Sequence, residues 1–215
     1  MNRLLQKELR LAMHPASVGF LLLSALLLIP NYPYYVTFFY TSLGVFFICL
    51  GGRENKDVEY SLLLPVGKTD AVKARFMTVL LLESCQMLLA VPFAVLRQRM
   101  QVPLNQVGIE ANLAFFGFSF VMLGLFNLVF FLVYYKDVKK VGKAFVISST
   151  AVFFYAGVME TLTHILPFFA GRLDTMDPLF LTEKLMVLVV GFLLFLLLTF
   201  VSYRLSLKNF ERQDI

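Results

Sequence analysis

The chain has 215 residues, 59% of them hydrophobic and 15% charged, with 24 Phe, no Trp and a formal net charge of +5. A soluble domain carries roughly 45–50% apolar and about 25% charged residues, so this composition excludes an ordinary water-soluble fold and points to a membrane protein. The basic residues flank apolar runs and form no single stripe, which excludes a nucleic-acid partner. Cys49 and Cys85 both lie inside apolar runs, without the spacing of a zinc site or a disulfide framework.

The first dozen residues predict an amphipathic helix lying on the membrane surface. Leu5, Leu9, Ala12 and Met13 share one face, and Arg3, Lys7 and Arg10 point to water and headgroups. His14-Pro15 breaks this helix. The start is charged throughout, and no small-residue cleavage site follows the first apolar run, so no cleaved signal peptide is expected.

Six apolar runs then follow, each to be compared with the about 20 residues that a span needs. They are 16–29, 34–51, 76–96, 113–135, 144–169 and 185–203. The first is short and closes at Pro30-Asn31-Tyr32-Pro33. With the N-terminus inside, the inner segments hold 15 of the 19 Lys and Arg residues and the outer segments only Arg97, Arg99, Arg172 and Lys184. That bias predicts both termini in the cytosol. The fold class is therefore all-α and polytopic, a single transmembrane domain over 1–215 with no nucleotide-binding domain. The outer segment "AGRLDTMDPLF" carries Leu179, Phe180 and Leu181 after a proline, which suits a short re-entrant or interfacial piece before the last span.

Between the second and third runs lies "ENKDVEYSLLLPVGKTDAVKAR", residues 54–75. Asp57 suits the positive end of a helix. Leu62, Leu63 and Leu64 beside Tyr60 give that helix an apolar side, and Pro65-Val66-Gly67 ends it. An amphipathic cytosolic helix of this kind over 53–65 fits a groove on a soluble partner; equally, its leucines could rest on the bilayer. The "GKT" at 67–69 is no phosphate-binding loop, because GxxxxGK[ST] would need Gly where Leu62 stands.

Four polar residues stand inside the runs. Glu83 and Gln86 are one turn apart in the third, and Glu160 and His164 share a face of the fifth. A carboxylate at membrane depth costs about 2.5–3.5 kcal/mol on insertion scales, so it faces protein, water or a partner chain. The four residues read as a substrate path or gate, or as interhelical packing contacts. Asn127 stands in the fourth run. HExxH and GxSxG are absent, which leaves an intramembrane hydrolase as a minor alternative.

The N-terminal "QKELRLAMHP", six spans and the phrase "YSLLLPV" followed by Lys68 and Asp70 together resemble the small permease subunits of type-2 ABC exporters, including those of phenol-soluble modulins and antimicrobial peptides. The resemblance covers essentially the whole chain. It implies that 1–14 is an elbow helix and that 53–65 is a coupling helix seated on a separate cytosolic ABC ATPase. Asp57, Glu59, Tyr60, Leu63, Leu64 and Pro65 would then carry the coupling. It implies no cofactor in this chain, with ATP and Mg on the partner ATPase. It also implies a second permease copy (identical or a sibling) meeting this one on spans one and five, a peptide-like amphipathic cargo and a bacterial plasma membrane. A non-transporting assembly or immunity subunit of an ABC complex is the alternative within that class.

Overall fold

The computed structural model describes residues 2–56, 67–100, 103–175 and 178–212. The coupling residues Asp57, Glu59, Tyr60, Leu63, Leu64 and Pro65 lie outside the described residues. The described residues are helices and their connections, with no strand among them, and the fold is an all-α polytopic one.

Helix α1 (Asn2–Lys7) runs into a π-helical turn, Glu8–Ala12. His14 then caps α2 (Pro15–Leu21): its Nδ1 accepts the Ala16 N–H at 3.1 Å, and Pro15 occupies the first helical position, where a missing N–H is harmless. The segment continues as a 3-10 helix, Leu22–Leu28. A 3-10 helix rises about 2.0 Å per residue against about 1.5 Å in an α-helix, so it stretches a short apolar run towards the bilayer thickness of about 30 Å. Leu4–Arg10 and Pro15–Leu28 meet at 82°, so the chain turns sharply at His14-Pro15.

Five further helices are long and apolar enough to cross a membrane, and the bent pair makes a sixth candidate span. They are α3 (Tyr35–Glu54), α4 (Lys68–Arg99), α5 (Leu113–Tyr134), α6 (Val141–Ile165) and α7 (Leu181–Glu211). Arg53 and Glu54, expected at the head of the coupling segment, form the last turn of α3 instead. Helix α6 ends at Ile165 rather than at Phe169. Leu166 is extended ahead of Pro167, as the residue before a proline prefers. Two short turns, Phe169–Leu173 and Pro178–Phe180, lie in the outer segment before α7.

Helix α5 is the axis of the bundle. Phe126, Phe130, Phe131 and Tyr134 are buried on it and form a ladder of aromatic contacts, and Phe115 packs on Tyr34, Tyr35 and Phe38. It packs on α7 through Gly117 and Gly191. A Cβ on Gly191 would collide with the Gly117 backbone, and one on Gly117 would collide with Val187 and Leu188. Small residues let two helix backbones meet where lipid offers no hydrophobic drive. The apolar window of α7 is only 22% buried, against 56% for α5, so the outer faces of α7 are surface for acyl chains.

Candidate functional site

Polar side chains gather at three levels of the bundle. At mid-bundle, Asn127 on α5 donates through Nδ2 to Glu83 Oε2 on α4 at 3.0 Å and to Thr199 Oγ1 on α7 at 3.3 Å. Ser202 Oγ on α7 donates to the Asn127 carbonyl at 2.7 Å. Gln86, one turn from Glu83, points elsewhere: its Nε2 donates to Ser24 Oγ in the 3-10 segment at 2.8 Å. Glu83, Gln86, Asn127 and Ser24 are each at most 1% exposed. Glu83 Oε1, Gln86 Oε1 and Asn127 Oδ1 have no hydrogen-bond partner among the described residues. The arrangement ties α2's extension, α4, α5 and α7 together from within one protomer.

At one end of the bundle, residues 103–112 fold over it and bind it by side chains from every direction. Arg97, the buried last-turn residue of α4, pairs with Glu110 at 3.2 Å, donates to the Pro103 carbonyl at 2.7 Å and lies over the Tyr34 ring at 5.2 Å. Glu110 also accepts the Asn105 N–H. Asn105 Nδ2 donates to the Tyr32 carbonyl at 3.0 Å, and Asn31 Oδ1 accepts the Gln106 N–H at 3.0 Å. Glu160 Oε2 accepts the Ile109 N–H at 3.3 Å, and His164 Nε2 is 3.2 Å from the Val107 carbonyl. Asp174 Oδ1 accepts the Glu110 N–H at 2.7 Å, and burial pushes its carboxyl up to about 6. Gly108 passes so close to Glu160 that any Cβ there would overlap the carboxylate.

The sequence placed Glu160 and His164 on one face, and both do reach the same outer segment. It missed Glu110, Asn105 and Asp174, and also Asn112, which caps α5 by accepting the Ala114 N–H at 2.9 Å and donates to the Leu173 carbonyl at 2.7 Å. Arg97 was counted as a water-facing outer charge; it is 2% exposed, because Glu110 folds back to neutralise it. The signal that could have found Glu110 is the lone acid in "VGIEAN", set between apolar neighbours.

At the opposite end, Arg75 on α4 pairs with Glu8 at 2.8 Å and donates to the Ile48 carbonyl at 3.1 Å. Both charged groups are about 95% buried, with exposures of 4% and 5%. Arg75 is one of the 15 basic residues that the charge bias counts on the inner side. Gly52 makes room for it, since a Cβ there would sit 3.2 Å from the guanidinium. This pair fastens the elbow to the second turn of the helix that follows residues 57–66.

Among the described residues several cavities flank the bundle, and two of them lie between helices. One of about 450 Å³ opens between α4, α5 and α7 and is lined by residues such as Leu88, Val91, Phe116 and Leu188. The other, about 320 Å³, lies between α3 and α6 and includes Glu160. Among the described residues no cluster of His, Cys, Asp or Glu could hold a metal ion.

Apolar helices of bilayer length, glycine-mediated packing and polar groups turned inward define a multi-pass helical membrane protein of the plasma membrane. The chain belongs to the ABC-2 family of transporter proteins, whose family model, described as ABC-2 family transporter protein, matches residues 3–211. It is thus a permease subunit of an ABC transporter, a transport component and not itself a catalyst. No curated protein and no solved structure matches it.

Proposed function

We propose that this permease exports an amphipathic peptide, powered by ATP hydrolysis on a separate cytosolic subunit. The buried Glu8–Arg75 pair is the observation that carries the coupling. Residues 57–66 stand between α3 and α4, and Arg75 lies within the first turns of α4. A push delivered to Asp57, Glu59, Tyr60, Leu63, Leu64 and Pro65 would reach α4 first, and through Arg75 the elbow. An ion pair so little exposed keeps its geometry under load, because separating the charges leaves each one buried and unpaired.

Two permease copies enclose the path. Helix α6 supports a seam with the second copy: Val146, Ile147, Phe153, Phe154 and Val158 are exposed on it, and Phe154 reaches 75%. Val18 and Leu22 are exposed on the first span. Glu160 and His164 stand at the outer end of α6, where cargo would leave. Glu83 and Gln86 sit deeper, inside the protomer, where they gate by holding α4 to its neighbours.

The experiment is co-purification with the ATPase encoded beside the gene, with hydrolysis measured with and without the permease. The parent chain is expected to form the complex and change the rate. Asp57→Lys with Glu59→Lys, or Tyr60→Ala, should weaken the complex about tenfold, equivalent to about 1.4 kcal/mol. Undiminished co-purification of both variants would overturn the coupling assignment.

A further inference from the structure

Glu160 is a carboxylate in the last turns of an apolar helix, α6. Among the described residues it makes no ion pair, and its one hydrogen bond is with the Ile109 N–H at 3.3 Å. The described cations of the outer half are engaged elsewhere or lie away from it. Arg97 is held by Glu110, Arg172 by Glu183 at 3.6 Å, and Lys184 by the Thr175 carbonyl. Arg99 is exposed at the end of α4. The titratable groups that face Glu160 are His164 on its own helix, Asp174 and Tyr35. None of these is a permanent cation.

The carboxylate lines the cavity of about 320 Å³ between α3 and α6. That is the size of a small drug-like pocket. Phe39 and Phe153 form an aromatic wall, with ring centroids 4.6 Å apart. Tyr35 also lines it. It is 3% exposed, and its hydroxyl is buried, so the hydroxyl offers a ligand no surface. One carboxylate without an ion pair among the described residues and two aromatic faces make a chemically specific set. Ammonium groups pair with carboxylates and are attracted to aromatic faces. An anion would meet repulsion from Glu160, and a neutral hydrocarbon would leave the carboxylate without a counter-ion.

We propose that this cavity binds an organic ammonium ion with an apolar body, the ammonium against Glu160 and the Phe39 and Phe153 ring faces. That this ion is cargo, as a free amine or a lysine of a peptide, rests on the exporter reading above; the binding site itself does not.

The test is titration calorimetry on the purified full-length chain in lipid nanodiscs, with phenethylamine at neutral pH and its uncharged isostere propylbenzene. The parent should bind the amine at least tenfold more tightly than propylbenzene. Glu160→Gln keeps an oxygen for the Ile109 N–H and should erase that preference, leaving propylbenzene binding unchanged. Phe39→Leu and Phe153→Leu should each weaken the amine about threefold, in line with an exposed-site cation–π contribution of about 0.5–1 kcal/mol. Equal affinity of the parent for the two ligands, or a Glu160→Gln chain that still prefers the amine, overturns the proposal. Should Glu160→Gln unfold, unchanged amine binding in both other variants overturns it. Binding that stands while the ATPase fails to associate removes the cargo role alone. Intact ATPase coupling with no amine preference removes the site alone.

Discussion

Asn127 holds two helices with one amide: Nδ2 reaches both Glu83 and Thr199. Removing it leaves Glu83 buried without its donor. Interhelical hydrogen bonds in membranes contribute about 0.6 kcal/mol on average and up to about 1.7 kcal/mol. Asn127→Ala is expected near the upper end, as a lowered melting temperature in detergent, and Thr199→Ala near the lower. Asp174 gives a pH-dependent counterpart at the outer rim. Its carboxyl is raised from 3.8 to about 6 by burial, so the folded chain holds the proton more tightly than the unfolded one. The resulting stability is fully present below 3.8 and is lost as the pH climbs through about 6. Asp174→Asn should flatten that part of the melting-temperature profile; a variant whose profile matches the parent would contradict the account. Sequence alone marked Glu83 and Glu160 as unusual, because acids are costly inside apolar runs. It could not pair them: Asn127 is 44 residues from Glu83, and Ile109 is 51 from Glu160.

The two most constrained elements are the α5–α7 seam and the elbow. At the seam, Gly191 faces the Gly117 backbone, with no flexible side chain to give way. Overpacking a filled core costs about 1–3 kcal/mol. Gly191→Leu should therefore lower the thermal stability clearly, while Gly157→Leu, whose site has open space around it, should not. Equal effects of the two would show that the helices separate freely. The bend at His14-Pro15 was legible from Pro15, and the chain turns by 82° at that place. Its anchor was not. Glu8 reads as one more polar residue on an amphipathic helix, and Arg75 as one more cytosolic cation. Only the packing of α1 on α4, 67 positions apart in the chain, shows them to be a pair.

For the whole molecule, the remaining question of arrangement is which side is in. Charge bias puts Lys140 in the cytosol and Gln106 outside. With Cys85 replaced by Ser, a cysteine at Lys140 should react with an impermeant maleimide only in inside-out vesicles, and one at Gln106 only in intact cells. The reverse pattern would invert the topology. The same asymmetry would place the Arg97–Glu110 cap on the outer face and the Glu8–Arg75 tie on the inner one.

The amino-acid sequence by itself determined the class: apolar runs long enough for a bilayer admit only helices in a single chain of this kind, since every backbone polar group must be satisfied within its own segment. It also marked the break at His14-Pro15, because a proline acts locally, while other helix ends moved, as at Ile165. The tertiary structure alone decided which polar groups meet. Arg75 and Arg97 were buried by carboxylates from distant segments, the outer segment was drawn down onto Glu160, His164 and Asp174, and a cavity was left between α3 and α6. Those outcomes depend on how helices rotate and slide against one another, and side-chain pairing across tens of residues leaves no periodic mark in the chain.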